Sequence, residues 1–328
     1  MTRILGVLGL LIVLYAGLGA SDADAVDADG LTKIANLQGR AGIITLGAAL
    51  VIIAGGIDLS IGSVVACSAV LFGVLMERGC HPYLAVPVVL AFGAAVGLIN
   101  GLLITRLKLQ PFLVTLCGMF VYRGAARLLA DAVSVSRVIQ EKPRAHPEFA
   151  GAIQNLQFVL TGRDEKLALV FPAQFVLLLI LAAVVGFFLH RTAYGRYWYA
   201  IGHNEQAARY AGVNVNRHRV AVYVVCSALA SLGGVLLFLE ELPVLADSAG
   251  TGYELYAILG AVLGGCSLRG GEGTAVGMVL GAMILPVLEE LVTFQGLKGN
   301  VIPAVIGLTL LGGTIVDELI RRRSRVHR

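Results

Sequence analysis

Long uncharged apolar stretches recur from one end of the chain to the other. The clearest lie at 4–21, 82–105, 167–189, 220–239 and 299–316. Each is close to the ~20 residues that a helix needs to cross a hydrocarbon core of ~30 Å. Because these stretches are apolar all round and do not alternate with period two, they indicate helices. The pattern predicts an all-α, polytopic transmembrane helical bundle.

The apolar pattern divides the chain into about ten spans, and two of them are short for a membrane crossing. We therefore expect broken or re-entrant helices near 55–60 and 264–273. A Gly-Gly pair occurs at both places, which fits a transporter built from repeated halves and equally fits chance. The predicted spans are 4–20, 41–56, 61–76, 83–104, 111–130, 169–189, 220–239, 255–268, 274–294 and 300–316.

The composition also indicates a membrane protein. Of the 328 residues, 57% are hydrophobic and 14% are charged, whereas soluble domains average about 25% charged residues. The longest stretches between spans, 131–168 and 190–219, are too short for a folded catalytic domain of typical size. We therefore expect one transmembrane domain over residues 1–328.

Basic residues are concentrated in segments that fall on one side of this ten-span arrangement. These segments are the loop 105–110, the loop 190–219 and the tail 317–328. Lysine and arginine mark the cytoplasmic side of a membrane protein. The loop 190–219, the basic tail and both termini are therefore predicted to be cytoplasmic, and 131–168 is predicted to be an outer loop.

The first apolar run has two interpretations. It follows Arg3 and ends in small residues, which is also typical of a cleaved signal peptide. Leu18, however, occupies a position where cleavage requires a small residue. We expect the first span to be retained.

Polar groups inside the apolar runs are candidates for a pathway or gate. Asp58 and Ser60 follow Gly55-Gly56 between two apolar segments, and a charge in hydrocarbon costs about 2.5–3.5 kcal/mol on insertion scales. Asp58 suits a turn or helix cap, and the alternatives are a substrate ligand or a proton carrier. Asn100 favours an interhelical hydrogen bond over substrate contact. Arg123 lies within the fifth span.

The basic loop 190–219 contains one short helix signal. Asn204 is a good N-cap, Glu205 suits the first turn, and Gly212 suits the position past the C-terminus. An isolated helix of this length is marginal in water, so a solvated connector is disfavoured against a helix that packs on something. The small apolar residues that predict a docking face are Ala207, Ala208 and Ala211.

The sequence lacks the motifs of several nucleotide-binding and enzyme classes. The sequence contains no G-x-x-x-x-G-K-[ST], no H-E-x-x-H and no G-x-S-x-G, so we expect no nucleotide site and no catalytic residues in this chain. The five cysteines are scattered without a C-x-x-C pair. They predict neither a metal site nor a disulfide framework, and no cofactor is expected.

A set of motifs resembles the permease subunits of bacterial ATP-binding cassette importers for ribose, galactose and related monosaccharides. The motifs occur in order across about residues 40–315. They are Gly55 to Gly62, Asn100-Gly101, Pro111 to Thr115 with Arg123-Gly124, Thr192 with Gly195, Ala200 to Gly212, Gly264 to Leu268 and Gly270 to Gly273.

The resemblance implies a permease domain in the bacterial inner membrane that translocates a monosaccharide by alternating access. It implies a cytoplasmic ATP-binding subunit docked around Gly202 to Gly212, a second permease copy or paralogue, and an outer sugar-binding protein. ATP would be hydrolysed by the partner chain.

Two positions depart from the family pattern. The family usually has Asp where Tyr256 stands and Thr where Cys266 stands, which makes both residues further pathway or gate candidates. Two other functions are kept as alternatives: a secondary transporter driven by an ion gradient, and a membrane sensor or assembly subunit without transport.

Overall fold

The computed structural model describes residues 2–21, 24–131, 147–163, 169–240 and 244–294, with positions 304, 307, 308, 311 and 312. A short 3-10 turn, Asp24–Val26, precedes the second helix. The helices are α1 (Thr2–Ser21), α2 (Ala28–Ile53), α3 (Ile61–Glu77), α4 (Pro82–Arg106), α5 (Pro111–Asp131), α6 (Pro147–Thr161), α7 (Ala173–Arg191), α8 (Ala193–His203), α9 (Glu205–Tyr210), α10 (Val215–Glu240), α11 (Tyr253–Leu263) and α12 (Ala275–Phe294).

Seven of these helices are long and apolar enough to cross a membrane, namely α1, α2, α4, α5, α7, α10 and α12. The shorter apolar helices α3 and α11 complete a series that corresponds in order to the first nine predicted spans. The prediction of an all-α polytopic membrane protein is confirmed. Most of the tenth predicted span, 300–316, and the tail 317–328 lie outside the described residues.

Helix α2 begins well before its predicted start at residue 41. The Asp27 side chain accepts a hydrogen bond from the Gly30 N–H at 2.7 Å and caps the helix there. Asn36 and Arg40 are buried and have polar partners inside the bundle, so these residues do not interrupt the helix. The placement of residues 28–40 in a loop was therefore wrong.

Helix α10 packs against α2, α3 and α4 in the centre of the bundle. Glycines bring α4 close to α10, because a Cβ on Gly97 would overlap the backbone at Tyr223 and one on Gly93 would overlap Ser231. The aromatic rings of Phe72 and Phe238 meet edge to face at 5.2 Å. Small residues thus allow these two helices to approach closely, as they commonly do in membrane proteins.

The two predicted helix breaks have the same backbone geometry. In the first break, the Gly55 and Gly56 N–H groups donate to the carbonyls of Ile52 and Val51, both at 2.9 Å. In the second, Gly265 and Cys266 donate in the same way to Val262 and Ala261, both at 2.9 Å. Gly55 and Gly265 have φ of +78° and +94°, a left-handed conformation that ends a helix and favours glycine.

By this geometry Gly55 corresponds to Gly265. Aligning the Gly-Gly pairs by sequence would instead match Gly55 with Gly264, one position earlier. It also shortens two predicted spans. Helix α2 ends at Ile53, before the predicted 56, and α11 ends at Leu263, before the predicted 268. In each case the left-handed glycine ends the helix before the apolar stretch of the sequence ends.

Three other boundaries differ from the predictions. The predicted outer loop 131–168 contains helix α6, whose Leu156 and Gln157 are buried. The predicted loop 190–219 contains α8 in addition to one short helix, because Trp198 and Ile201 pack inward. Helix α7 starts after Pro172, later than the predicted residue 169.

The polar segments lie at two ends of the bundle. Residues 104–111, α9 and the start of α10 line one groove, and both helix breaks meet α8 nearby. We call this the basic end. The opposite end contains the contacts between His81 and Phe149 and between Arg127 and Asp247.

Candidate functional site

The short helix α9 at the basic end is capped as the sequence predicts. The Asn204 side chain accepts a hydrogen bond from the Ala207 N–H at 3.0 Å. At the other end, Gly212 has φ of +81°, and the Val213 N–H donates to the Ala208 carbonyl at 3.0 Å. Both caps satisfy backbone groups that a six-residue helix would otherwise leave unpaired.

Helix α9 presents two different faces. Ala208 is only 4% exposed and packs with Ile201 and Val215 of the same chain. Ala207 and Ala211 are exposed, and the Tyr210 side chain is 91% exposed. Ala207, Tyr210 and Ala211 therefore belong to the exposed face of the helix, while Ala208 anchors the helix to its own bundle.

Glu205 ties α9 to α10. Its Oε1 accepts hydrogen bonds from Arg209 at 2.8 and 3.2 Å, and its Oε2 accepts one from Arg219 at 2.8 Å. Arg209 also donates to Asn216 at 3.2 Å. Partial burial alone raises the pKa of Glu205, but the hydrogen bonds from the two arginines outweigh it and the pKa lies below its usual value. The carboxylate is thus charged at neutral pH.

Three glycine-containing segments meet beside α9, and we call them the glycine junction: Gly55, Gly202 and Gly270-Gly271. The Gly271 N–H donates to the Ile53 carbonyl at 2.9 Å, which joins the two helix breaks. A Cβ on Gly202 would overlap both of these hydrogen-bonded groups. Only glycine lets the end of α8 pass this close to both breaks.

The junction places α9 close to the ends of two membrane helices. Gly202 is two residues before Asn204, the cap of α9. Gly55 follows the last residue of α2, and Gly270-Gly271 lies between α11 and α12. The backbone just before α9 therefore contacts both breaks.

Asp58 and Ser60 form a turn inside the first break. The Asp58 Oδ1 accepts hydrogen bonds from the Ser60 N–H at 2.8 Å and from the Ser60 hydroxyl at 2.6 Å. The Asn100 amide donates to Ser60 at 3.1 Å, and the Tyr122 hydroxyl donates to Asn100 at 2.8 Å. This chain ties the break to α4 and α5, and it gives Asn100 the interhelical hydrogen bonds expected of it.

The other pathway candidates lie apart from Asp58. Arg123 donates to the backbone carbonyls of Ala246 and Ala249, so it holds the segment before α11 against α5. Cys266 is buried in the second break, against Gly273. Tyr256 lines a cavity between α2, α11 and α12.

The sequence analysis did not predict one buried polar network. Arg40 and Glu240 form an ion pair at 3.0 Å, and each side chain is 8% exposed. Gln174 donates to Glu240 at 2.8 Å, and its own backbone N–H donates to the Asn36 side chain at 2.9 Å. The spacing of Asn36 and Arg40, four residues apart and so on one helix face, is the signal that could have revealed it.

Among the described residues, no group of three or more His, Cys, Asp or Glu side chains is arranged to hold a metal ion. The polar groups described above take part in hydrogen bonds and ion pairs within the chain.

Comparison with known proteins places this bundle in a family. Branched-chain amino acid transport system / permease components match residues 30–315. Ribose import permease protein RbsC of Escherichia coli K12 is 33% identical over 94% of this chain and 91% of its own length. Fructose import permease protein FrcC of Rhizobium meliloti is 34% identical over 89% of this chain and 78% of its own length. No solved structure matches the chain.

The chain belongs to this family of permease components. It is also 36% identical to the inner membrane ABC transporter permease protein YjfF of Escherichia coli, over 78% of this chain and 73% of that protein. It is thus a transport subunit of an ATP-binding cassette importer, as the motifs predict, and not an enzyme. The family implies no resident cofactor, and the ion-driven alternative is set aside.

Proposed function

We propose that this permease imports a monosaccharide, of the size and chemistry of ribose or fructose, by alternating access. The relatives named for ribose and fructose import cover most of the chain. The bundle has the parts that such a cycle needs, namely two broken helices and a docking helix joined to them by the glycine junction. A bundle with two packings can open alternately to either side when a partner favours one of them.

Three partners follow from this proposal. An ATP-binding subunit docks on Ala207, Tyr210 and Ala211, beside a groove with an empty volume of about 870 Å³. A second permease copy or a paralogue completes the pathway. A sugar-binding protein delivers the substrate at the opposite end of the bundle.

We further propose the orientation that the basic loops predict. The chain would form one permease domain over 1–328 in the bacterial inner membrane, with about ten spans and both termini in the cytoplasm. The loop 190–219 and the tail 317–328 would be cytoplasmic, and 131–168 would be outside. The presence of Lys108, α9 and the start of α10 around one groove supports this orientation.

The single observation that carries the proposal is the exposed face of α9, directly beside the glycine junction. Replacing Ala207 with arginine places a long charged side chain on that face. Because Ala207 is exposed, the permease itself accommodates the change, but a partner packed on α9 does not. We expect loss of sugar-dependent ATP hydrolysis and of uptake in proteoliposomes that contain the complete importer.

Ala200→Arg is the matched control, because Ala200 is also exposed and lies on the neighbouring helix α8. That variant is expected to keep most of the uptake. Both variants are checked for membrane insertion and for co-purification with the ATP-binding subunit. Normal co-purification and uptake by Ala207→Arg would contradict the proposed coupling surface.

A further inference from the structure

A cavity with an empty volume of about 580 Å³ lies between α2, α11 and α12. Aliphatic side chains form much of its wall. The polar groups that line it are Arg40, Thr45, Tyr253, Tyr256 and Glu289.

These polar groups are costly inside a membrane bundle. Ionisable side chains at membrane depth are rare and usually face a cavity or a partner, where they serve a function. The Arg40 guanidinium is paired with Glu240 at 3.0 Å. Tyr256 and Glu289 line the cavity together with Arg40, so a hydroxyl, a carboxylate and a guanidinium border one space. A well-packed apolar core would contain neither this void nor these charges.

The chemistry of the lining fits a polyhydroxylated ring. A carboxylate accepts hydrogen bonds from hydroxyl groups, and a guanidinium donates to their oxygens. Tyrosine combines an apolar ring face with a polar tip, so it can cover the C–H face of a sugar while it hydrogen-bonds the rim. The Tyr253 and Tyr256 rings lie 6.2 Å apart at one side of the cavity.

The cavity is also connected to the docking helix. Helix α2 ends at Ile53 and α11 ends at Leu263, each at one of the two breaks, and α12 starts after the second break. Gly202 contacts both breaks at the glycine junction. Each of the three helices that wall the cavity therefore has one end near the glycine junction, and the lining residues lie further along each helix, away from that end.

From this arrangement we infer that the cavity is a sugar-binding station on the transport pathway, in which Arg40, Tyr256 and Glu289 hydrogen-bond the hydroxyl groups of the passing monosaccharide. This inference rests on the proposed function. It assigns Tyr256 a direct contact with the substrate.

The chain offers a matched pair of adjacent carboxylates for the test. Glu289 lines the cavity, whereas Glu290 forms an ion pair at 2.8 Å with Lys33, whose side chain is 61% exposed. Glu289→Gln and Glu290→Gln are compared in the complete importer, reconstituted in proteoliposomes with D-ribose or D-fructose as the probe. We expect the uptake rate to fall on the order of tenfold for Glu289→Gln, as for one lost hydrogen bond to a charge, and to stay near wild type for Glu290→Gln.

Tyr256→Phe keeps the shape of the cavity and serves as the second variant. It is expected to raise the sugar concentration at half-maximal uptake and to change the ratio of ribose to fructose uptake, which a purely structural role would not do. Thermal unfolding and co-purification with the ATP-binding subunit verify that both variants are folded.

The outcomes separate the two proposals. If the wild-type complex transports a sugar while Glu289→Gln and Tyr256→Phe behave like Glu290→Gln, the sugar station is overturned and the importer function stands. If the wild-type complex transports neither sugar, the proposed function fails and this inference fails with it.

Discussion

Replacing Gly202 with alanine is expected to abolish sugar uptake. The added Cβ would overlap the Ile53 carbonyl and the Gly271 N–H, two backbone groups that hydrogen-bond each other at 2.9 Å. Backbone groups do not move aside as a flexible side chain does, and overpacking of this kind costs typically 1–3 kcal/mol, or about fivefold to 150-fold in an equilibrium. The measurement is ATP-dependent uptake by the reconstituted importer, together with the yield of inserted protein.

Gly124→Ala is the control for this variant. Gly124 lies in α5, and no atom lies within 4 Å of the Cβ that alanine would add there. Its uptake is expected to match the wild type, since alanine is also the better helix former. Wild-type uptake by Gly202→Ala would show that the junction does not transmit the motion of α9.

Replacing Arg40 with methionine is expected to destabilise the bundle by about 3–5 kcal/mol, because it leaves the buried Glu240 without its main counter-ion. The two side chains are each 8% exposed and lie 3.0 Å apart, so water does not screen the lost interaction. The measurement is the thermal unfolding of the purified permease in lipid nanodiscs. We expect a clearly lower unfolding temperature than that of the wild type.

Lys33→Met breaks the ion pair with Glu290 and provides the comparison. The Lys33 side chain is 61% exposed, and exposed pairs of this kind contribute about 0–1 kcal/mol. Its unfolding temperature is expected to stay close to the wild type. Equal effects of the two replacements would mean that the Arg40–Glu240 pair is hydrated in the membrane.

Features that depend only on residues close together in the sequence were predictable. Asn204 and Gly212 mark the ends of α9 from sequence alone, because each satisfies backbone groups of the same short helix. The Gly-Gly pairs mark both helix breaks for a similar reason, since a left-handed residue ends a helix wherever it occurs.

Residues that depend on distant partners were not predictable in this way. The apolar pattern excluded residues 28–40 from a span because they include polar and charged side chains, yet they belong to α2. Arg40 is stabilised there by Glu240, 200 residues away in the sequence. Ala208 looked equivalent to Ala207 and Ala211, but packing against Ile201 and Val215 turns it away from any partner.

The sequence by itself determined that this protein is an all-helical membrane protein, with breaks near two glycine pairs and a short capped helix in its longest basic loop. Those features follow from apolar length, glycine conformation and helix caps, all of which act over a few residues. Only the tertiary structure decided that the breaks hydrogen-bond each other beside Gly202, and that Arg40, Tyr256 and Glu289 surround one cavity. Such contacts join residues far apart in the chain, and they exist only once the helices have packed.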